Sequence, residues 1–130
     1  MSPDDRKYTA EHEWIKLEEA APGHARAGIT HYAQDQLGDI VYFDLPKAGD
    51  TLTVHGKMGE VESVKAVSDL FSPVSGQVLE VNLRLVDHPE LTNDDPFGEG
   101  WIILVALSDA TELDSLMSAD EYESYITGLS

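Results

Sequence analysis

One lysine, Lys65, stands between Val64 and Ala66 in the stretch Gly59 to Gly76, GEVESVKAVSDLFSPVSG. β-Branched and aromatic residues bounded by glycine and proline predict two short strands joined by a tight turn, with Lys65 at its tip. A lysine placed there supports no core. Its amine points into water, where another molecule can modify it, and acylation would remove its charge. Carboxylates stand three residues before it at Glu62 and four after it at Asp69, and Glu13 sits near the start of the chain in an HEW run. His12, His24, His31, His55 and His88 are scattered without HExxH spacing, so they are expected at the surface or in hydrogen bonds. No GxSxG occurs, and Ser72 to Gly76 reads as a turn rather than a nucleophile elbow, with Gly76 at a bend of positive φ. No residue cluster here breaks bonds by itself.

These residues are expected to stand mostly on strands. Tyr8 to Leu17 and Ala25 to Ile29 are expected strands on either side of a turn at Ala21-Pro22-Gly23. Thr30 is a suitable N-cap for a short helix through Leu37, ended by Gly38. Ile40 to Leu45, Thr51 to Val54 and Gln77 to Val81 continue the β pattern, and Trp101 to Leu107 closes it after a polar connection from Asn82 to Gly100. The period then changes. Leu113, Leu116 and Met117 are spaced for one helical face, and Ser118 with Glu121 forms a capping-box pattern. The helix it opens is expected to bury Tyr122, Tyr125 and Ile126.

The 130 residues suit a single domain, with a β core over about 8–107 and a helical segment over about 110–128. There is no cysteine, which removes disulfides, thiolate metal sites and a cysteine nucleophile. A net charge of −17 argues against a nucleic-acid partner, which needs a basic footprint. Dispersed acids suit a solvated surface that also steers basic protein partners, or a high-salt habitat. No apolar run reaches membrane-spanning length, and MSPDDRKY has neither a signal-peptide nor a transit-peptide pattern, so a cytoplasmic protein, or a processed mitochondrial one, is expected.

The run VESVKAVSDLFSPVSGQVLEVN resembles the lipoylation region of glycine cleavage system H proteins. So do YTAEHEW at Tyr8 to Trp14, GITHYAQDQLGDIV at Gly28 to Val41, DLP at Asp44 to Pro46 and DPFGEGW at Asp95 to Trp101. The resemblance implies a mainly β barrel-sandwich hybrid of the biotinyl/lipoyl carrier type, with a short helix in the N-terminal half and helices at the C-terminus. The segments TLTVHGKMGEVESV and DLFSPVSGQVLEVN would be its two similar halves, with Lys65 between them. It implies lipoate in amide linkage to Lys65, an arm reaching roughly a dozen Å at about 1.5 Å per bond. Glu62 and Gly76 would be read by a lipoyl ligase or lipoyltransferase. Glu13 and Asp69 would hold the amine end of the loaded arm in a cleft. Glu11 and Gln36 depart from the family pattern, in which a small hydroxylic residue and a histidine can stand.

The same resemblance implies a monomeric, non-enzymatic carrier. It would take the aminomethyl group of glycine from the pyridoxal-phosphate-dependent P protein to the tetrahydrofolate-dependent T protein, and electrons to the L protein, a dihydrolipoamide dehydrogenase. An H-like lipoyl donor to other proteins would use the same lysine. The tripeptide Val64-Lys65-Ala66 differs from the DKA of acyl-carrying lipoyl domains and the MKM of biotin carriers. A stand-alone hydrolase built on a carboxylate pair finds no supporting cluster.

Overall fold

The computed structural model describes residues 2–129. The expected first strand is two strands: β1 (Lys7–Tyr8) and β2 (Glu13–Leu17) pair antiparallel, with Tyr8 opposite Trp14. The reversal passes through His12, whose φ of +67° lies in the left-handed region and interrupts any continuous strand. Strand β3 (His24–Ile29) follows the Ala21–Gly23 turn. Thr30 then caps α1 (His31–Leu37), its hydroxyl accepting from the Ala33 N–H at 3.2 Å, and Gly38 ends the helix at φ +77°. Both ends fall where the sequence predicts.

Next come β4 (Ile40–Asp44), β5 (Thr51–Leu52), β6 (Lys57–Ser63), β7 (Val67–Phe71) and β8 (Gly76–Val81). The expected polar connection folds into two single-turn helices, α2 (Arg84–Asp87) and α3 (Leu91–Asp94). Leu85 and Thr92 are fully buried there, and the Asn82 amide donates to the Glu99 and Trp101 carbonyls. Strand β9 (Ile103–Leu107), a 3₁₀ turn over Ala110–Ser115 and α4 (Ala119–Thr127) complete the chain.

The strands form two antiparallel sheets, β1-β2-β3-β9-β8-β5 and β4-β6-β7. Strand β6 pairs with β7, and β5 with β8, so the two halves nest about the Lys65 turn. The fold is mainly β and sandwich-like rather than a closed barrel. Between the sheets lie Ile15, Ala27, Ile29, Phe43, Val61, Leu70, Val78, Ile103 and Val105. Each large side chain buried there contributes about 1.5–3 kcal/mol. A second cluster, Tyr8, Trp14, Ala119 and Tyr122, packs on the other face of β2 beneath α4.

The C-terminal expectations hold only in part. Leu113, Leu116 and Met117 do not share a helical face: the first two pack on the main core, while Met117 bridges to Tyr8 and joins the aromatic cluster. The Ser118–Glu121 capping box is present. Tyr122 is buried and Ile126 half-buried, but Tyr125 is exposed. At 3.6 residues per turn Tyr125 lies about 60° round the helix from Tyr122, and α4 presses only a narrow stripe against the sheet.

Candidate functional site

Lys65 sits at the tip of the β6–β7 hairpin, exposed, on a turn held from both sides. The Ser63 N–H donates to the Ala66 carbonyl at 2.8 Å. The buried Ser63 hydroxyl accepts from the N–H groups of Lys65 and Ala66 at 3.3 and 3.1 Å. The Val64 N–H donates to the Asp39 carbonyl at 3.0 Å, tying the tip to the start of β4. Asn93 on α3 ties the next layer: its amide donates to the Gly38 carbonyl and the Gln34 side chain, and its oxygen accepts from the Ile40 N–H, each at 2.9 Å. Sequence reasoning passed over Ser63 and Asn93. A serine two residues before a turn lysine is an ST-turn signal that could have found the first.

The lysine stem does not stand straight into water. Its Cε lies beside Gly38, within 3.7 Å of where a Cβ on that glycine would be. Lys65 therefore leans toward the C-terminal end of α1. The inner side of that helix, Tyr32, Ala33, Gln36 and Leu37, forms one wall of a cleft of about 330 Å³. Val61, Ser68, Asp69 and Leu70 of the hairpin form the opposite wall, and Glu11, His12 and Glu13 close the end. A larger groove of about 710 Å³ under β1 and β2 takes no residue from the hairpin.

The two expected cleft carboxylates differ sharply. Glu13 is 3 % exposed. One oxygen, Oε2, accepts from the Phe71 N–H at 2.8 Å, while Oε1 is buried with no partner among the described residues. Burial raises its pKa from an ordinary 4.5 to about 8; the Phe71 amide opposes this, and the neighbouring Glu11 charge adds to it. Asp69 is exposed, and the Lys57 ammonium stands 3.3 Å from it and 2.6 Å from Glu60. The ammonium's pKa is raised, chiefly by the Glu60 bond and then by Asp69.

Gln36 and Glu11, which replace the family's alternatives, both face the cleft, and Glu11 also reaches His55 Nδ1 at 3.4 Å. The His12 ring lies 4.7 Å from that of Tyr32. Its Nδ1 is 2.9 Å from the Tyr122 hydroxyl, which is 2.8 Å from Thr30 Oγ1, so one phenol on α4 joins the end of the cleft to the cap of α1. Burial lowers the His12 pKa, against the charge of Glu11.

The remaining expected site residues lie apart. Glu62 is exposed on β6, next to the turn. Gly76 is on the other sheet, at the start of β8, and its φ is not positive, which corrects the expected bend. Glycine is required there for another reason. A Cβ would fall 2.1 Å from the Ala106 carbonyl oxygen and 3.0 Å from Val105 Cγ2, where β8 and β9 approach closely. Among the described residues no three metal-ligating side chains gather, and no helix is long and apolar enough to cross a membrane.

An exposed lysine on the turn between nested hairpins, beside a cleft with a buried carboxylate oxygen unpartnered among the described residues, is the layout of a swinging-arm carrier of the barrel-sandwich type. Residues 6–128 match the family model described as glycine cleavage H-protein, and the chain belongs to that family. It is 52 % identical over 120 residues to the glycine cleavage system H protein of Coprothermobacter proteolyticus, covering 92 % of this chain and 93 % of that protein. It is 50 % identical over 124 residues to the probable glycine cleavage system H protein of Haloarcula marismortui, covering 95 % of each. The crystal structure of a glycine cleavage system H protein from Mycobacterium marinum matches with a TM-score of 0.88 at 42 % identity, covering 97 % of this chain and 99 % of that one. H proteins are the lipoyl carriers of the glycine cleavage system, with lipoate attached covalently to a lysine, and they work with its P, T and L proteins. The chain is a carrier, not an enzyme.

Proposed function

We propose that Lys65 is the lysine that bears lipoate, and that the cleft beside it shelters the end of the arm. The observation that carries this is the placement of Lys65: exposed, on a rigid Ser63-locked turn, leaning over Gly38 toward the cleft. Lipoate, when bound, supplies a dithiolane that takes up the aminomethyl group and electrons. The chain's own residues do the rest. Ser63 and the Asp39 carbonyl keep the base of the arm still while the arm moves. Glu13 presents Oε1, which has no partner among the described residues, to a cationic amine, whose charge would satisfy that oxygen and favour the ionised carboxylate. Asp69 offers a second carboxylate from the opposite wall, at present shared with Lys57. Ile29, Leu37, Val61 and Leu70 keep water from the same space.

A lipoyl ligase or lipoyltransferase installs the group, with Glu62 among the features it reads. Gly76 acts there only through the strand packing that shapes the fold. The carrier works as a single-domain monomer in the cytoplasm.

The test is intact mass and peptide mapping after exposure to a lipoyl ligase, lipoate and ATP. One lipoyl group on Lys65 is expected. Lys65→Arg should keep the melting temperature, because the side chain is exposed, and should take up no lipoate and support no glycine cleavage. An adduct on another lysine, or cleavage activity in Lys65→Arg, overturns the assignment.

A further inference from the structure

Of the large apolar side chains left exposed, Val64 and Val67 lie beside Lys65 on the hairpin, Val41 and Tyr42 lie on the paired strand β4, and Leu83 and Val86 lie at the cap and on the body of α2, which packs on β4. The strand register arranges part of this surface in rows. Tyr42 pairs with Glu62, which pairs with Val67, so these three side chains form one row across β4, β6 and β7. One step along, Phe43 and Val61 point into the core. The next step brings Asp44 and Glu60 into a second outward row, which ends in Asp69 on the edge strand β7, where that residue also borders the cleft. The outer face of the small sheet is thus an apolar row holding Glu62 beside the lysine and, about 7 Å away, a row of carboxylates. The carboxylate row already seats one cation, the Lys57 ammonium at 2.6 Å from Glu60 and 3.3 Å from Asp69.

We propose that this two-row face is the docking surface for the enzyme that attaches lipoate, and that its partner surface carries an apolar contact with a Lys or Arg about 7 Å from it. The proposal rests on Lys65 being the attachment site and adds where and by what chemistry the attaching enzyme holds the carrier. The argument for this occupant is reach. Attachment joins Lys65 Nζ to the lipoyl carboxyl carbon; the AMP that activates that carboxyl leaves with the bonding electrons, and the amine gives up its proton. A bare lysine reaches only about 6 Å, so the active site that performs this step must sit against the hairpin itself. Enzymes acting on the far end of the finished arm stand roughly a dozen Å further off and need no contact with these rows. Charge gives the orientation: an acidic row on a chain of net charge −17 selects a basic rim.

The test uses two double variants of exposed residues, Tyr42→Ser/Val67→Ser and Asp44→Asn/Glu60→Gln, with melting temperature as a check on folding. Each is titrated, unlipoylated, against a lipoyl ligase with free lipoate and ATP, following intact mass at low and high salt. The apolar-row variant should raise KM for the carrier about tenfold at every salt concentration, equivalent to about 1.4 kcal/mol of binding. The carboxylate-row variant should raise KM at low salt and flatten its salt dependence. After prolonged incubation both should become fully lipoylated at Lys65 and then support glycine cleavage at the wild-type rate. Unchanged KM in both variants overturns the proposal. Normal ligation with impaired cleavage overturns it as well, and hands the face to the cycle enzymes. An adduct mapping away from Lys65 would instead strike the attachment assignment on which the proposal rests.

Discussion

Strand β2 and the β6–β7 hairpin each give a carboxylate to the same cleft, yet they are buried in opposite ways. Strand β2 is covered on both faces: Ile15 packs between the sheets, Trp14 packs under α4, and Glu13 is enclosed at the strand's start. The hairpin is covered on one face only, with Val61 and Leu70 inside and Glu62, Val67 and Asp69 outside. The same functional group therefore becomes two different tools. Glu13 is a buried acid whose pKa burial raises, while Asp69 is a surface carboxylate with a lysine already on it. A carrier benefits from this division, because its modified lysine must stay accessible while one end of its cleft must not shift.

The largest expected effect breaks the doubly buried side. Trp14 is 1 % exposed, its indole N–H donates to the Pro96 carbonyl at 3.0 Å, and the Arg6 guanidinium lies 4.6 Å from its ring. Trp14→Ala should cost about 3–5 kcal/mol. Val64→Ser at the hairpin tip, where the side chain is 70 % exposed, should fall within about 0.5 kcal/mol of wild type. Denaturant midpoints of the two variants check the contrast; equal losses would mean that the hairpin is as deeply committed to the core as β2.

The next effect concerns the titration of Glu13. Its folded pKa of about 8 is raised above the unfolded 4.5, so between those values the folded protein holds a proton that the unfolded chain has lost. Stability conferred by that proton is complete below the lower value and declines as pH rises through the upper one. The slope attributable to Glu13 is at most about 1.4 kcal/mol per pH unit. In Glu13→Gln that component should vanish, and subtracting the two stability curves over this window isolates it from the other acids. Parallel curves would mean that Glu13 is already ionised in the folded protein and that the contrast with Asp69 is false.

The sequence made one side of this comparison far more legible than the other. The hairpin shows itself because glycine, proline and β-branched residues act locally, and the turn residues that hold Lys65 lie within three positions of it. The cap at Thr30 and the capping box at Ser118 are legible for the same reason. Glu13 was legible only through family resemblance. A strand buried on both faces reads as a continuous apolar run, and a glutamate between His12 and Trp14 breaks that run, so its burial is settled by Phe71, fifty-eight positions away. Gly76 misled in a related way, since its constraint comes from a carbonyl on β9 and not from its own backbone. The folded Asn82–Gly100 connection was hidden because single-turn helices have too few residues to show a period.

The smallest effect sharpens the comparison most. Tyr122 is fully buried and stacks on Tyr8 at 4.8 Å, and burial pushes its phenol up to about 12. Tyr122→Phe keeps the ring and the stack and removes only the oxygen that meets His12 and Thr30. The expected cost is about 1–2 kcal/mol, from the buried Thr30 hydroxyl and the half-buried His12 ring losing a shared partner. A loss of packing alone would stop there. If the phenol holds the end of the cleft in place, His12 should also loosen, gain water and titrate closer to its ordinary value, which burial now depresses. Lipoylation at the hairpin should be untouched, because Lys65 takes its geometry from Ser63 and Asp39. An NMR titration of the His12 ring, run beside the ligation assay, separates the two ends of the site. A His12 pKa unmoved by the substitution would show that α4 merely covers β2 and has no hold on the cleft.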